Sequence, residues 1–299
     1  HLASSAASDV YKRQVTALAS SNLSDVKTLL TAANDTDQFT DSTGKVSFGG
    51  LTGVTIADAT VDVSDFNAAV TQANTATGKT TAAGGATVFT LSNVTAFNGG
   101  TASDFATLLT SETNGLISGG ITTQALTVDD GTIGVSAAND LNNTTTGVVT
   151  ATITEGDMST LASLGDKEGG QSTDNAYTVT ITDTSVAAGA LNTLAGKTSV
   201  AVTGSAITTL TGTISDVNTA YANTSGITGL GNEAVTISDT DNSSNGVSIA
   251  DLNTLDDYTT GTIDAGTITV ATGTLAALLE AYGSNGITGL GNETITVSD

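Results

Sequence analysis

Gly226–Asp239 reads GITGLGNEAVTISD, and Gly286–Asp299 reads GITGLGNETITVSD. The first eight residues recur unchanged at a spacing of sixty, and each copy runs into a short apolar/polar alternation. LNTL, at Leu191–Leu194 and again at Leu252–Leu255, repeats at sixty-one. The two registers agree, so the C-terminal half carries a long repeat of about sixty residues, which decides the architecture before any single motif does. Each long repeat holds two shorter units, and the shorter unit is an alternating strand followed by a short helix.

TVTITD (Thr178–Asp183) sets Val179 and Ile181 on one face and Thr178, Thr180 and Thr182 on the other, the period of a strand. VAAGALNTLAG (186–196) follows with apolar residues three and four apart, the period of a helix. VAVTGSAITTL (200–210) precedes ISDVNTAYAN (214–223), and TIDAGTITVATG (262–273) precedes TLAALLEAYG (274–283). Earlier pairs are GVTIADATVDV with SDFNAAVTQAN, TVFTLSNVTAF with ASDFATLLTSE, and VVTATITEGD with MSTLASLG. SNLSDVKTLLTAAND (21–35) opens the series as a helix. Ser24-Asp25, Ser64-Asp65, Ser103-Asp104 and Ser215-Asp216 stand just before an apolar anchor, where Ser or Asp caps free N–H groups. Gly165, Gly196 and Gly283 fall where a left-handed C-cap is expected.

Short strand–helix units cannot bury their apolar faces alone and must stack on one another. A strand returning to the next through a helix pairs in parallel. The expected fold is therefore α/β, a solenoid of stacked strand–short-helix repeats with a parallel sheet; a parallel β-helix with helical interruptions is the alternative. Residues 15–144 read as irregular units and 145–299 as regular ones broken off at the C-terminus.

Composition narrows the function. The 299 residues carry 30 Asp and Glu against 7 Lys and Arg, a formal charge of −23, with no Cys, Pro or Trp. Affinity for nucleic acid rests on neutralising phosphates with basic side chains, so nucleic acid is not an expected partner. Anionic membrane surfaces are disfavoured for the same reason, and no apolar run is long enough for membrane insertion. At 38% hydrophobic residues the chain is too apolar for a disordered acidic tail, and with 4% aromatics its core is expected to consist of Val, Ile, Leu and Ala. The acidic balance suits solubility, metal cations or a high-salt exterior.

Residues 4–14, SSAASDVYKRQ, hold the only Arg of the chain beside a Lys. The stretch resembles, residue for residue, a translation of the transposase adapter used in sequencing libraries. On that resemblance residues 1–14 are a non-native adapter-derived segment, to be set aside from fold reasoning, and the chain is a metagenomic fragment.

DLNNTTTGVVTATITEGDMSTLASL (Asp140–Leu164) and LNTLAGKTSVAVTG (Leu191–Gly204) carry a second resemblance. In repeat grammar the chain is similar to the Thr/Ala/Gly/Asp-rich repeat proteins of marine bacteria, the cyanobacterial S-layer and haemolysin-type adhesins. That resemblance implies export, an extracellular or cell-surface location and often calcium. It departs from the calcium-binding β-roll pattern, because none of the Gly-Gly pairs continues as GGxGxD.

Two loops are candidate calcium sites. DTDQFTDSTG (Asp35–Gly44) offers Asp35, Asp37 and Asp41; DTDNSSNG (Asp239–Gly246) offers Asp239, Asp241 and Asn245. Calcium takes six to eight oxygens, and alternating carboxylates supply several, although the EF-hand order is not met. The competing reading is a solvated turn of Asp, Asn and Ser. Asp129-Asp130 and Asp256-Asp257 are adjacent pairs, and adjacent residues of a strand point to opposite faces, which does not suit a glycosidase pair. Beyond His1 there is neither His nor Cys to activate a nucleophile. Outward Thr in TVTIT and TATIT reads as ordinary wet-face strand residue, and Tyr177, Tyr221, Tyr258 and Tyr282 read as caps on a thin core. No catalytic residue is expected. The expected function is a structural or adhesive repeat segment, with neighbouring repeats and surface glycans as partners. The alternative is a polysaccharide-binding or -degrading solenoid, such as a β-helix enzyme or a phage tail-fibre segment.

Overall fold

The computed structural model describes residues 13–14, 16–34, 46–47, 50–77, 81–166, 174–240 and 246–298. It is an α/β structure in which, among the described residues, every strand pairing is parallel. The described helices are α1 (Leu23–Asn34), α2 (Val63–Thr77), α3 (Ala102–Thr113), α4 (Val135–Thr144), α5 (Met158–Leu161), α6 (Ala188–Ala195), α7 (Ile214–Ala222), α8 (Ile249–Tyr258) and α9 (Leu275–Gly283). The chain divides into two compact units, residues 1–133 with 140–150, and residues 134–139 with 151–299.

In the first unit one sheet takes strands Ala17–Ser21, Gly53–Ile56, Val88–Thr90 and Ile117–Ser118 in chain order. A second sheet takes Thr60–Asp62, Ala96–Gly100, Ala125–Val128 and then Val149 and Thr150. Alternation decides which side is buried: Val54 and Ile56 face in, Gly53 and Thr55 lie half-exposed. The core is largely the Val, Ile, Leu and Ala core expected, with an aromatic cluster added in this unit. Phe66, Phe89, Phe97 and Phe105 are fully buried, and Phe66 meets Phe89 and Phe97 edge-on at centroid distances of 5.3 and 5.5 Å. The few aromatics gather here within an otherwise aliphatic core, where edge-to-face contact adds to their area.

The second unit repeats more regularly. Strands Ser185–Ala187, Thr209–Gly212, Ala234–Ile237, Ile263–Asp264 and Ile287–Thr288 form one sheet in chain order. Its register aligns Val186, Leu210, Val235, Ile263 and Ile287, all buried, in a single inward rank. Val202–Thr203 pairs Ile227–Thr228, and Val247–Ser248, Val270–Gly273 and Thr294–Val297 form a three-stranded sheet. The helices bury the faces their spacing foretold: Ile214, Val217 and Tyr221 in α7, and Ile249, Leu252 and Leu255 in α8. α6 and α8 start sixty-one residues apart, as do α7 and α9, so the long sequence repeat is also a structural one.

Two local expectations are corrected. The cap of α3 is Thr101, whose hydroxyl accepts from the Asp104 N–H at 3.2 Å while Asp104 accepts from the Thr101 N–H at 2.9 Å. Thr213, Ser248 and Thr274 cap α7, α8 and α9. The Ser-Asp pairs therefore sit inside the first turn, two and three residues past the cap, with Asp closing a capping box at α3. Nor are the helix-end glycines left-handed: Gly196 is at φ −76°, and neither Gly165 nor Gly283 has positive φ. Positive φ falls instead inside the repeated octapeptide, at Gly229 (86°), Gly231 (135°), Gly289 (84°) and Gly291 (128°).

Candidate functional site

Many polar side chains of this chain bond to backbone groups of a neighbouring repeat or of their own loop, through four recurring devices. The first is a threonine ahead of a strand. Thr52, Thr95, Thr146, Thr208 and Thr269 each donate twice, through the N–H and the hydroxyl, to one carbonyl of the preceding repeat: Thr16, Ala59, Thr122, Thr184 and Thr240. Buried Thr87, Thr145, Thr198 and Thr259 act similarly one step earlier, donating to the carbonyls of Leu51, Gln124, Tyr177 and Glu233.

The second device is a carboxylate at the end of a strand that accepts from the first N–H of an earlier helix. Asp58 takes the Leu23 N–H, Glu155 that of Val135, Asp183 that of Met158, and Asp239 that of Ile214, at 2.6–3.0 Å. A helix start carries unsatisfied donors and partial positive charge, so a carboxylate is favoured there by about 0.3–1 kcal/mol.

An asparagine at the fifth position of a helix is the third. Asn67, Asn192, Asn218 and Asn253 donate through Nδ2 to the carbonyls of Asp104, Asp216, Asp251 and Ala277, each in the first turn of the next helix. Asn139, at the same position of α4, donates to Ser163 O and accepts from the Gly165 N–H at 2.6 Å. α1 has Lys27 at this position, paired with Asp65. In sequence Asn reads first as a turn residue; the signal that marks these asparagines is a constant offset of four from the helix start.

The fourth device explains the octapeptide itself. Glu233 is fully buried, and its Oε2 accepts from the N–H groups of Gly231 (2.8 Å) and Asn232 (3.1 Å) and from the Tyr221 hydroxyl (2.9 Å). Glu293 folds its own loop likewise, accepting from Gly291 and Asn292 at 2.8 and 2.9 Å. Glycine is required at Gly229 and Gly289, since an added Cβ would lie 2.8 Å from Ser205 N and 2.5 Å from Gly266 N. Burial pushes the Tyr221 phenol well above its ordinary range, and the neighbouring Glu233 adds to it. Burial does the same to Tyr177, with the charge of Asp166 adding, and among the described residues the Tyr177 hydroxyl meets no hydrogen-bond partner. The hydroxyl of Ser159 and then that of Thr160 hold the Asp157 carboxyl down at about 2, and the hydroxyl of Thr101 lowers Asp104.

Of the six candidate calcium ligands, Asp35, Asp37, Asp41, Asp241 and Asn245 lie outside the described residues. Asp239 is described, and its carboxylate caps α7. Among the described residues no three His, Asp or Glu side chains converge as a metal site. Asp129 accepts from the Gly100 N–H and Asp256 from the Ser284 hydroxyl at 2.6 Å, while Asp130 and Asp257 are exposed. One concave feature combines aromatic and polar groups. Tyr221 and Tyr258 stack at 5.8 Å and 17° beside a cavity of about 370 Å³ that Thr224, Thr228 and Leu230 also line.

Fold and side-chain use together define an α/β protein of parallel sheets whose repeats are stitched by Thr, Asn and carboxylate bonds. Compared with protein-family models, curated proteins and solved structures, the chain matches none.

Proposed function

We propose that this chain is a non-catalytic structural or adhesive segment of a large exported bacterial surface protein, built as an α/β solenoid whose acidic surface is neutralised by dissolved cations. It resembles the S-layer and haemolysin-type adhesins in composition and repeat grammar. The observation that carries the reading is the recurrence of the same repeat-to-repeat bonds. Five Thr rungs and five Asn links commit polar side chains to neighbouring repeats, the economy of an array in which each repeat contacts its neighbours. Small-angle scattering of the chain is expected to give an elongated particle. Its thermal midpoint is expected to rise by similar small amounts in calcium and magnesium relative to EDTA, as charge screening requires. A rise with calcium alone would instead assign a site, with Asp35, Asp37, Asp41, Asp241 and Asn245 as the first alanine targets.

A second reading, glycan binding, is favoured by the stacked Tyr221–Tyr258 pair beside its cavity, because tyrosine faces suit sugar rings. Glycan-array binding lost on Tyr258→Ala would support it. Release of reducing sugar would overturn the non-catalytic reading.

A further inference from the structure

Glu233 and Glu293 have a counterpart outside the octapeptides. Gln124 stands in the same corner of its own repeat. Thr145 and Thr259 donate their hydroxyls to the carbonyls of Gln124 and Glu233 at 2.6 and 2.8 Å. The residues that follow the corner, Ala125, Ala234 and Thr294, donate their N–H groups to the carbonyls of Thr95, Thr208 and Thr269. Just ahead of those threonines Val94, Ile207 and Ile268 close the same turn, donating to the carbonyls of Leu91, Gly204 and Ala265.

The three side chains match on one side only. Gln124 Oε1 accepts the N–H of the residue before it at 3.2 Å, as the Oε2 atoms of Glu233 and Glu293 do at 3.1 and 2.9 Å. The other atom of Gln124, Nε2, donates to the Val94 carbonyl at 3.1 Å. Its counterparts, the Oε1 atoms of Glu233 and Glu293, are buried and meet no partner among the described residues. A carboxylate oxygen therefore stands where an amide donor stands, in register with the Ile207 or Ile268 carbonyl, which is a second acceptor. Negative charge shut away from water is costly unless it is paired.

We infer that each octapeptide corner binds one small monovalent cation, which joins Glu Oε1 to the isoleucine carbonyl of the preceding repeat and takes the part that Nε2 plays at Gln124. One carboxylate balances one positive charge. A divalent ion would bring a second charge into the same buried place, without the further carboxylates that calcium collects. A proton and an alkali ion share the required chemistry. Tyr221 is the titratable group bonded to Glu233, and its hydroxyl donates to Oε2, which leaves Oε1 to the cation.

The test compares the full chain with Glu233→Gln, which builds the Gln124 corner into the second unit. Circular-dichroism melts are recorded in sodium chloride and in choline chloride at equal ionic strength, so that screening is the same in both. With its donor built in, the variant is expected to melt about 2–4 °C above wild type in choline chloride at about pH 8, where nothing small and positive fills the wild-type corner. The gap closes as wild type gains its cation, because a ligand of the native state raises the midpoint by mass action. Closure in sodium chloride at about pH 8 identifies an alkali ion; closure in choline chloride as pH falls toward about 5 identifies a proton. Glu293→Gln, at the half-buried corner, is expected to show the same gap at smaller size, and it decides the matter if the buried substitution does not fold. A Glu233→Gln melt below wild type in every buffer overturns the inference. So does a gap that neither sodium nor acid changes.

Discussion

Glu233 and Glu293 offer a controlled comparison inside one molecule. Both end the same octapeptide and fold the same loop, but Glu233 is fully buried and accepts three hydrogen bonds, whereas Glu293 is half-buried and accepts two. Hydrogen bonds to a charged group contribute about 1.5 kcal/mol each at the lower end, so three of them amount to roughly 4 kcal/mol. Removing the carboxylate also strands the Tyr221 hydroxyl, itself buried, without its acceptor. At Glu293 water reaches the loop and replaces much of what is lost, leaving a cost of about 1 kcal/mol. Glu233→Ala is therefore expected to destabilise the second unit by roughly 4 kcal/mol and Glu293→Ala by roughly a quarter of that. Urea unfolding followed by circular dichroism measures both, and the slope should stay constant if stability alone changes. Hydrogen exchange at the Gly231 and Asn232 amides reports the loop directly. Equal losses for the two substitutions would refute the reasoning, since they would show that burial does not decide the worth of this carboxylate.

Three further outcomes are expected. The folded-state pKa of Asp157 lies at about 2, below its unfolded value of 3.8, so its stabilisation is complete above pH 4 and disappears as pH falls toward 2; Asp157→Asn should flatten that part of an acid titration of stability. Gly229→Ala, at φ 86° and with a Cβ 2.8 Å from Ser205 N, should cost more than ~2 kcal/mol, whereas Gly283→Ala, with open space in α9, should stabilise by about 0.5–1 kcal/mol; calorimetric midpoints moving alike would contradict this. Tyr177→Phe removes a buried hydroxyl that meets no partner among the described residues and should raise the midpoint by about 2–4 °C for ~1 kcal/mol, the reverse of the usual core truncation.

Much of the fold was legible because repetition and period report backbone geometry directly. TVTITD and the alternation after each octapeptide mark strands, and LNTL marks a helix whose start recurs at the sequence spacing. The helix Val135–Thr144 carries no clear helical signal in sequence, because its apolar residues, Val135, Ala138 and Leu141, are diluted by four Asn and Asp. MSTLASLG has the spacing of a longer helix than the four residues Met158–Leu161 that form, where Lys197 reaches in to cap the Ala162 and Leu164 carbonyls. The candidate site was less legible still. Asp239 reads as a cation ligand among Asp and Asn, but its oxygen meets an N–H twenty-five residues earlier, a pairing that no local pattern contains.

The sequence by itself determined the alternation of strand and helix, the repeat length, the acidic balance and which side of each strand is apolar. Those properties depend on neighbours a few residues apart, where period and turn chemistry act. Only the tertiary structure decided that four phenylalanines gather in one unit and that Asn at a helix's fifth position reaches the next helix. It alone buried Glu233 and left Glu293 half open, although the two stand in identical octapeptides. Burial is set by what the rest of the chain packs against each copy, and that is a property of the tertiary structure, not of the eight residues.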